Sequence, residues 1–503
     1  MSSGGLDSVR GVAPTAARTG GIPVCFRPAA PPVLAPRPCP AHVPLAPAQE
    51  RMWHAARRGR SADWNVARAI RLRGAAVDVS ALRAALKLLV ARHDPLRTRY
   101  PATECGPAQQ VIDPGDAVLD VAECVIGEAE LAPAVAALAE QSFDLTRDLP
   151  MRARLFVLGP DDVVLALVVH HISVDGRSMR PLIRDLVTAY SACRAGSAPQ
   201  WAPLPINYTD YTLWKHEQLG EFTDEWSRAT HQLRYWANAL AGRPDLLDLP
   251  VREQPSTPID PVAGALLPIS FDAATHAGLL RLAQDGRASL FMVLQAAFAL
   301  TVGAFAHCSD VTVATAISGR DHRLLDDLVG NFSDDVLMRV RLDRARDVEE
   351  LLEQVRRVAL AAYAHPDTPN PRLKRCLLQD AALPLFQATL ILQRADAPRT
   401  ESASAQGLSI TEVPIGVVRA KHDLEFGLAD HYDPLGAPIG IDGSFIYPIA
   451  RFDEATAQQF VARFRAVVGL LADGYRGPLT ALAANTARGP SLNTVRRATR
   501  VLV

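Results

Sequence analysis

His170 and His171 stand side by side, with Asp175 and Gly176 close behind, in the run His170-His171-Ile172-Ser173-Val174-Asp175-Gly176. Imidazole titrates near neutral pH, so it can take the proton of an amine or hydroxyl as that group attacks a carbonyl. Adjacent strand residues point to opposite faces, so the two rings are expected to play different parts. One would face an open cleft and the other would pack inward, which argues against both binding one metal ion. Asp175 could orient a ring or hold an arginine across the turn. Taken alone, a satisfied pair of core histidines beside a turn accounts for these residues equally well.

The flanking residues are the elements that must position this run. Val163 to Val169 is unbroken apolar sequence, preceded by the turn-like Gly159-Pro160-Asp161-Asp162. A run so short and so rich in valine reads as a strand buried on both faces. Met179, Leu182, Ile183, Leu186, Val187 and Tyr190 then recur at helical spacing. The histidines therefore sit where a strand ends, and Asp175-Gly176 turns the chain into an amphipathic helix. Upstream, Asp78 or Ser80 is expected to cap a helix carrying Leu82, Leu86 and Leu89 on one face, stopped by Pro95. Tyr208 to Trp214 is an aromatic cluster expected to lead into a helix. Ser289 to Phe305 is apolar all round, as a core helix would be. Val311 to Ile317 alternates as a strand and delivers Ser318-Gly319-Arg320, placing a cation near a cleft. Further strands are expected after Lys421-His422-Asp423-Leu424 and over Gly440 to Tyr447, and Asp453 should cap a last helix.

The chain has 503 residues, 49% hydrophobic and 21% charged, an ordinary globular balance with room for two or three lobes. Its 53 Lys+Arg against 54 Asp+Glu leave a net charge of -1, which asks for neither nucleic acid nor an anionic membrane as partner. The 7 cysteines are scattered without a Cys-x-x-Cys pair, as suits a reducing compartment. No apolar run approaches the roughly 18–20 residues that span a bilayer, so a cytoplasmic protein is expected. Residues 1–43 are rich in Pro, Ala, Gly and Arg and are expected to lack order, as is the tail 483–503.

His-His-x-x-x-Asp-Gly followed by Arg177-Ser178-Met179 and an amphipathic helix resembles the signature of condensation domains of nonribosomal peptide synthetases, within the chloramphenicol acetyltransferase-like superfamily. Leu45 to Trp53, Arg92 to Tyr100, Tyr208 to Trp214, and Val329 to Asp335 resemble other segments of that family, in its order. The resemblance covers residues 44–482 and implies an α/β (α+β) fold. Two chloramphenicol acetyltransferase-like lobes, 44–222 and 223–482, would form a V-shaped pseudo-dimer with the active-site tunnel at their interface. It implies catalysis by His171, supported by His170, Asp175 and Gly176, with Arg320 pairing Asp175 and Arg97 as the alternative partner. Ser173, Arg177, Asp334 and Asp335 are candidates to line the tunnel. The two aspartates stand where the family usually has Asn and Thr, and could greet a cationic acceptor.

The implied reaction joins an acyl or aminoacyl thioester to an amine or hydroxyl, giving an amide or ester. No cofactor or metal would be bound. The donor would arrive on the phosphopantetheine arm of a separate peptidyl or acyl carrier protein, and the acceptor would be a small molecule or itself carrier-bound. No Gly-Gly-x-Ser carrier motif is present, so a free-standing, monomeric condensation enzyme is expected. A coenzyme A-dependent acyltransferase and an inactive domain that recruits other proteins are the alternatives.

Overall fold

The apolar run forms strand Asp162–His170, the heart of a six-stranded sheet. It pairs antiparallel with Asn65–Arg73 on one side, Asn65 opposite His170, and with Met151–Gly159 on the other. Its residues from Val163 to Val169 alternate between two cores, which is why none of these is polar. Val163, Leu165, Leu167 and Val169 pack with Leu82, Leu86 and Leu89 of helix Val79–Arg92 and with Leu182 and Leu186 of helix Met179–Arg194. Val164, Ala166 and Val168 pack with Leu131, Val135 and Leu138 of helix Glu128–Ala139. Asp78 caps Val79–Arg92, accepting from the Ala81 N–H at 2.9 Å. The computed structural model describes residues 32–74, 77–252, 259–367, 370–378, 383–395, 403–405 and 408–481.

A second six-stranded sheet runs in the order Asp334–Arg341, Asp310–Ile317, Ala388–Arg394, Leu424–Tyr432, Pro438–Pro448, Gly264–Asp272. Against it lies helix Leu290–Phe305, buried over most of its length, with Phe298 meeting Phe426 at 4.8 Å between ring centres. That accounts for its apolar circumference. Helix Glu454–Ala472, capped by Asp453 on the Thr456 N–H at 2.7 Å, adds Phe460 and Phe464 to the same core. Among the described residues no single helix is long and apolar enough to cross a membrane.

Three expectations need correction. Strand Leu408–Val413 does not stay with the second sheet; it pairs antiparallel with Asn65–Arg73, Val413 opposite Ala69. One boundary at residue 222 therefore does not separate the lobes, because the free edge of Asn65–Arg73 is covered by chain from the second half. The aromatic run Tyr208 to Trp214 is itself the start of helix Tyr208–Leu219, not its lead-in.

The third correction concerns residues 1–43. Residues 1–31, like the expected tail 483–503, lie outside the described residues, but 32–43 are held in place. The Pro32 carbonyl accepts from Trp214 Nε1 at 2.8 Å, and the Arg37 N–H donates to Asp210 at 2.8 Å. Leu34, 5% exposed, sits among Ile206, Tyr208, Tyr211 and Trp214. A proline-rich strap docked with no helix or strand before Val43 leaves no period to read. Leu34→Ala should lower stability by about 2–3 kcal/mol in urea denaturation; a change below about 0.5 kcal/mol would mean that the strap is not held.

Candidate active site

Strand Asp162–His170 ends by handing its last N–H, that of His170, to the Pro150 carbonyl at 2.8 Å. The His170 ring is fully buried edge-on to Phe143, its Nδ1 accepting from the Ile172 N–H at 3.1 Å. Burial, and then the neighbouring His171, push its pKa down to about 3, so it is a neutral structural ring. His171 leaves the strand. Its N–H donates to the Trp64 carbonyl at 2.8 Å, and its ring meets the Trp64 indole edge-on at 6.1 Å. Burial, and then the Lys421 ammonium, lower its pKa to about 4. His171 is therefore unprotonated at neutral pH. Its Nδ1 is buried without a partner among the described residues, which leaves Nε2 as the nitrogen open to a reactant.

The turn after the histidines is pinned to the second half of the chain. Asp175 is 2% exposed; its Oδ1 accepts from the Ser178 N–H at 2.7 Å and from Arg320 Nη2 at 3.0 Å, and its Oδ2 from the Phe332 N–H at 3.2 Å. Arg320 also donates to the Leu325 and Leu328 carbonyls, the latter at 2.8 Å, and lies 4.1 Å over the Phe332 ring. The Ser178 hydroxyl lies 2.7 Å from both Asp175 Oδ1 and the Gly330 carbonyl. Two glycines allow this close approach. Gly319 has φ +59, and a Cβ there would fall 2.0 Å from the Phe332 carbonyl oxygen; one on Gly330 would fall 2.2 Å from the Tyr208 ring.

The structure brings some of the remaining candidates together and leaves others aside. Arg97 is not at the site: it pairs with Asp94 and donates to the Ile112 carbonyl, because its turn folds back on itself. Ser173 does not line a cavity either. It is fully buried, with Oγ 2.9 Å from the Tyr100 hydroxyl, which in turn takes Gln49 Nε2 at 3.3 Å. Arg177 is exposed, on the turn that leads into helix Met179–Arg194. Gly176 is exposed too, and a Cβ on it would meet nothing within 4 Å, so its part is to leave space open.

Asp334 and Asp335 divide. Asp335 is bound by Arg51 of helix Pro47–Arg57, and although burial raises its pKa, that guanidinium wins and holds it below the usual value. Burial outweighs the attraction of Arg51 at Asp334 and pushes it up to about 7. Asp334 lines a cavity of about 250 Å³ with Pro47, Ala48, Tyr211, Arg320 and Phe332. A larger cavity, about 920 Å³, is lined by Asp63, Arg419, Lys421 and His422, among others. Arg419 ties its two sides, reaching Asp63 at 2.7 Å and Asp260 at 3.1 Å. The Trp64 ring carries Arg51 at 4.8 Å and Lys421 at 4.5 Å. Ser178, Trp64, Arg51 and Lys421 were not singled out from sequence; Arg51 and Ser178 lie inside recognisable segments, while Trp64 has no local signal.

These features can be set beside known proteins. The condensation-domain family model matches residues 40–483. The chain belongs to the condensation-domain family. This condensation domain is 37% identical over 469 residues, 92% of its length, to CymA, a probable nonribosomal peptide synthetase of Salinispora arenicola, of which it covers 6%. It is 39% identical over 85% of its length to the isonitrile lipopeptide synthase of Mycobacterium tuberculosis, covering 17% of that protein. The condensation domain thus spans less than a fifth of these relatives. In structure it is similar to the X-domain in its complex with OxyB from teicoplanin biosynthesis, with TM-score 0.81, 29% identity, and 90% and 98% of the two chains covered. Its α/β architecture, built on two six-stranded sheets, is that of condensation domains, of the nonribosomal peptide synthetase type.

Proposed function

We propose that this domain transfers an acyl or aminoacyl group from the phosphopantetheine thioester of a carrier protein to an amine or hydroxyl. His171 Nε2 takes the proton of the nucleophile as its nitrogen or oxygen bonds to the thioester carbonyl. The tetrahedral intermediate then collapses, expelling the thiolate, which receives that proton. No serine or cysteine nucleophile is needed, because holding donor and acceptor together supplies much of the acceleration. The observation that carries this reading is a neutral His171 with one nitrogen open, on a loop fixed by the buried Asp175–Arg320 pair. The Asp334 cavity is suited to an acceptor bearing a second basic group.

The deciding experiment presents one set of acyl groups on a carrier protein or on coenzyme A, with a mixed pool of amines and alcohols, and reads product by mass spectrometry. Product from the carrier donor alone, lost in His171→Ala, supports the reading and identifies the bond. Equal product from coenzyme A would replace it with a coenzyme A-dependent acyltransferase. The likeness to an X-domain seen with OxyB favours a second reading, a recruiting domain; carrier binding without product from either donor would establish that one instead. If Asp334 selects a dibasic acceptor, Asp334→Asn should raise its KM about 10-fold with kcat little changed, the size of a lost charge-assisted hydrogen bond. Because the Asp334 pKa is about 7, wild-type preference for that acceptor should strengthen as pH rises through 7 and the variant's should not.

A further inference from the structure

We infer that Lys421 is a catalytic residue, the cation that meets the donor's carbonyl oxygen as it becomes an oxyanion; this rests on the acyl-transfer reading above. Lys421 comes from the second half of the chain, just ahead of strand Leu424–Tyr432, and its Nζ lies 4.5 Å from the centre of the Trp64 ring. His171 meets the same ring at 6.1 Å and is held by the Trp64 carbonyl. One indole thus contacts both base and cation, across the two halves.

The other cations there are already committed. Arg51 binds Asp335, Arg60 and Arg419 bind Asp63, and Arg451 binds Asp423. Glu425 is occupied by the backbone N–H groups of Lys421 and His422. Among the described residues the Lys421 ammonium makes no hydrogen bond or ion pair, and it lines the cavity of about 920 Å³, within the size range of ligand pockets. An unpaired ammonium in a recess is costly unless something arrives to use it.

Acyl transfer supplies that need. As the nucleophile bonds to the carbonyl carbon, the π electron pair moves to oxygen, while the nucleophile's proton goes to His171. Collapse returns the pair, breaks the carbon–sulfur bond and sends the proton to the leaving thiolate. The transient negative charge is on the oxygen, and an uncommitted cation on the same indole as the base favours it over the uncharged ground state.

The test uses the full chain with hexanoyl and glycyl groups carried as thioesters on the phosphopantetheine arm of a carrier protein, the same groups carried there as dithioesters, in which sulfur replaces the carbonyl oxygen, and the pool of amines and alcohols. Lys421→Met should lower kcat on the thioesters by about 10²–10³ with little change in KM. Lys421→Arg, which keeps the charge, should recover part of the rate and shows that loss in the Met variant is not misfolding. Wild type should favour thioester over dithioester, and that preference should shrink about 10-fold in Lys421→Met. Equal losses on both donors, or a Lys421→Met rate within about 3-fold of wild type, would overturn the inference while leaving acyl transfer standing. No transfer by wild type from any donor would remove both.

Discussion

Arg320→Met should cost about 3–5 kcal/mol of folding stability, and acyl transfer should fall with it. Its side chain is 1% exposed, and the Asp175 side chain it pairs with is 2% exposed. Removing the guanidinium leaves that carboxylate with the Ser178 hydroxyl and two backbone N–H donors, but with no cation in a site that excludes water. It also releases the Leu325 and Leu328 carbonyls that Arg320 holds. Pairing it with Asp175→Asn should restore much of the stability, since the isolated charge is then gone. A double-mutant cycle by chemical denaturation measures this. Strictly additive losses would show that the two side chains do not depend on each other.

His171→Ala is expected to have a different signature, a rate lower by about 10²–10⁴ with an unchanged melting temperature. The ring carries no hydrogen bond that holds the loop; its backbone N–H does that, and alanine keeps it. Wild-type kcat should also show an unusual pH profile. Lys421, Asp175, Arg51 and His170 are the charged and titratable groups that act on the ring, and burial together with Lys421 places its pKa at about 4. A base must be unprotonated, so activity should hold as pH falls through 6 and decline only near 4. An acid limb centred at the ordinary histidine value of about 6.5 would mean that another group is being titrated. Wild-type-like turnover by His171→Ala would end its assignment as the base.

The strand, turn and helix around the histidines were legible because their periods are local. Asp78 and Asp453 cap helices for the same reason. What sequence alone could not show depends on contacts between distant residues. Asp175 and Arg320 are 145 positions apart, and only the family resemblance suggested that pair. Arg51 and Asp335 are 284 apart, and nothing in either segment points to the other. Ser173 was read as lining the tunnel from its place in the motif, but a hydroxyl turns toward whatever partner the fold supplies, here Tyr100. Arg97 was drawn to the nearest carboxylate in its own turn.

The strand Leu408–Val413 carries a lesson for protein engineers. Residues 44–222 look like a module that could be cut out or exchanged, but their sheet takes an edge from the other half. Excision would bare the backbone of Asn65–Arg73 to any passing strand, a route to aggregation. A chimera joined at residue 222 would have to match two parents at that ladder as well as at the splice. Recombination points for this family member belong outside the whole unit that carries the two six-stranded sheets, and its halves should melt together in a single transition.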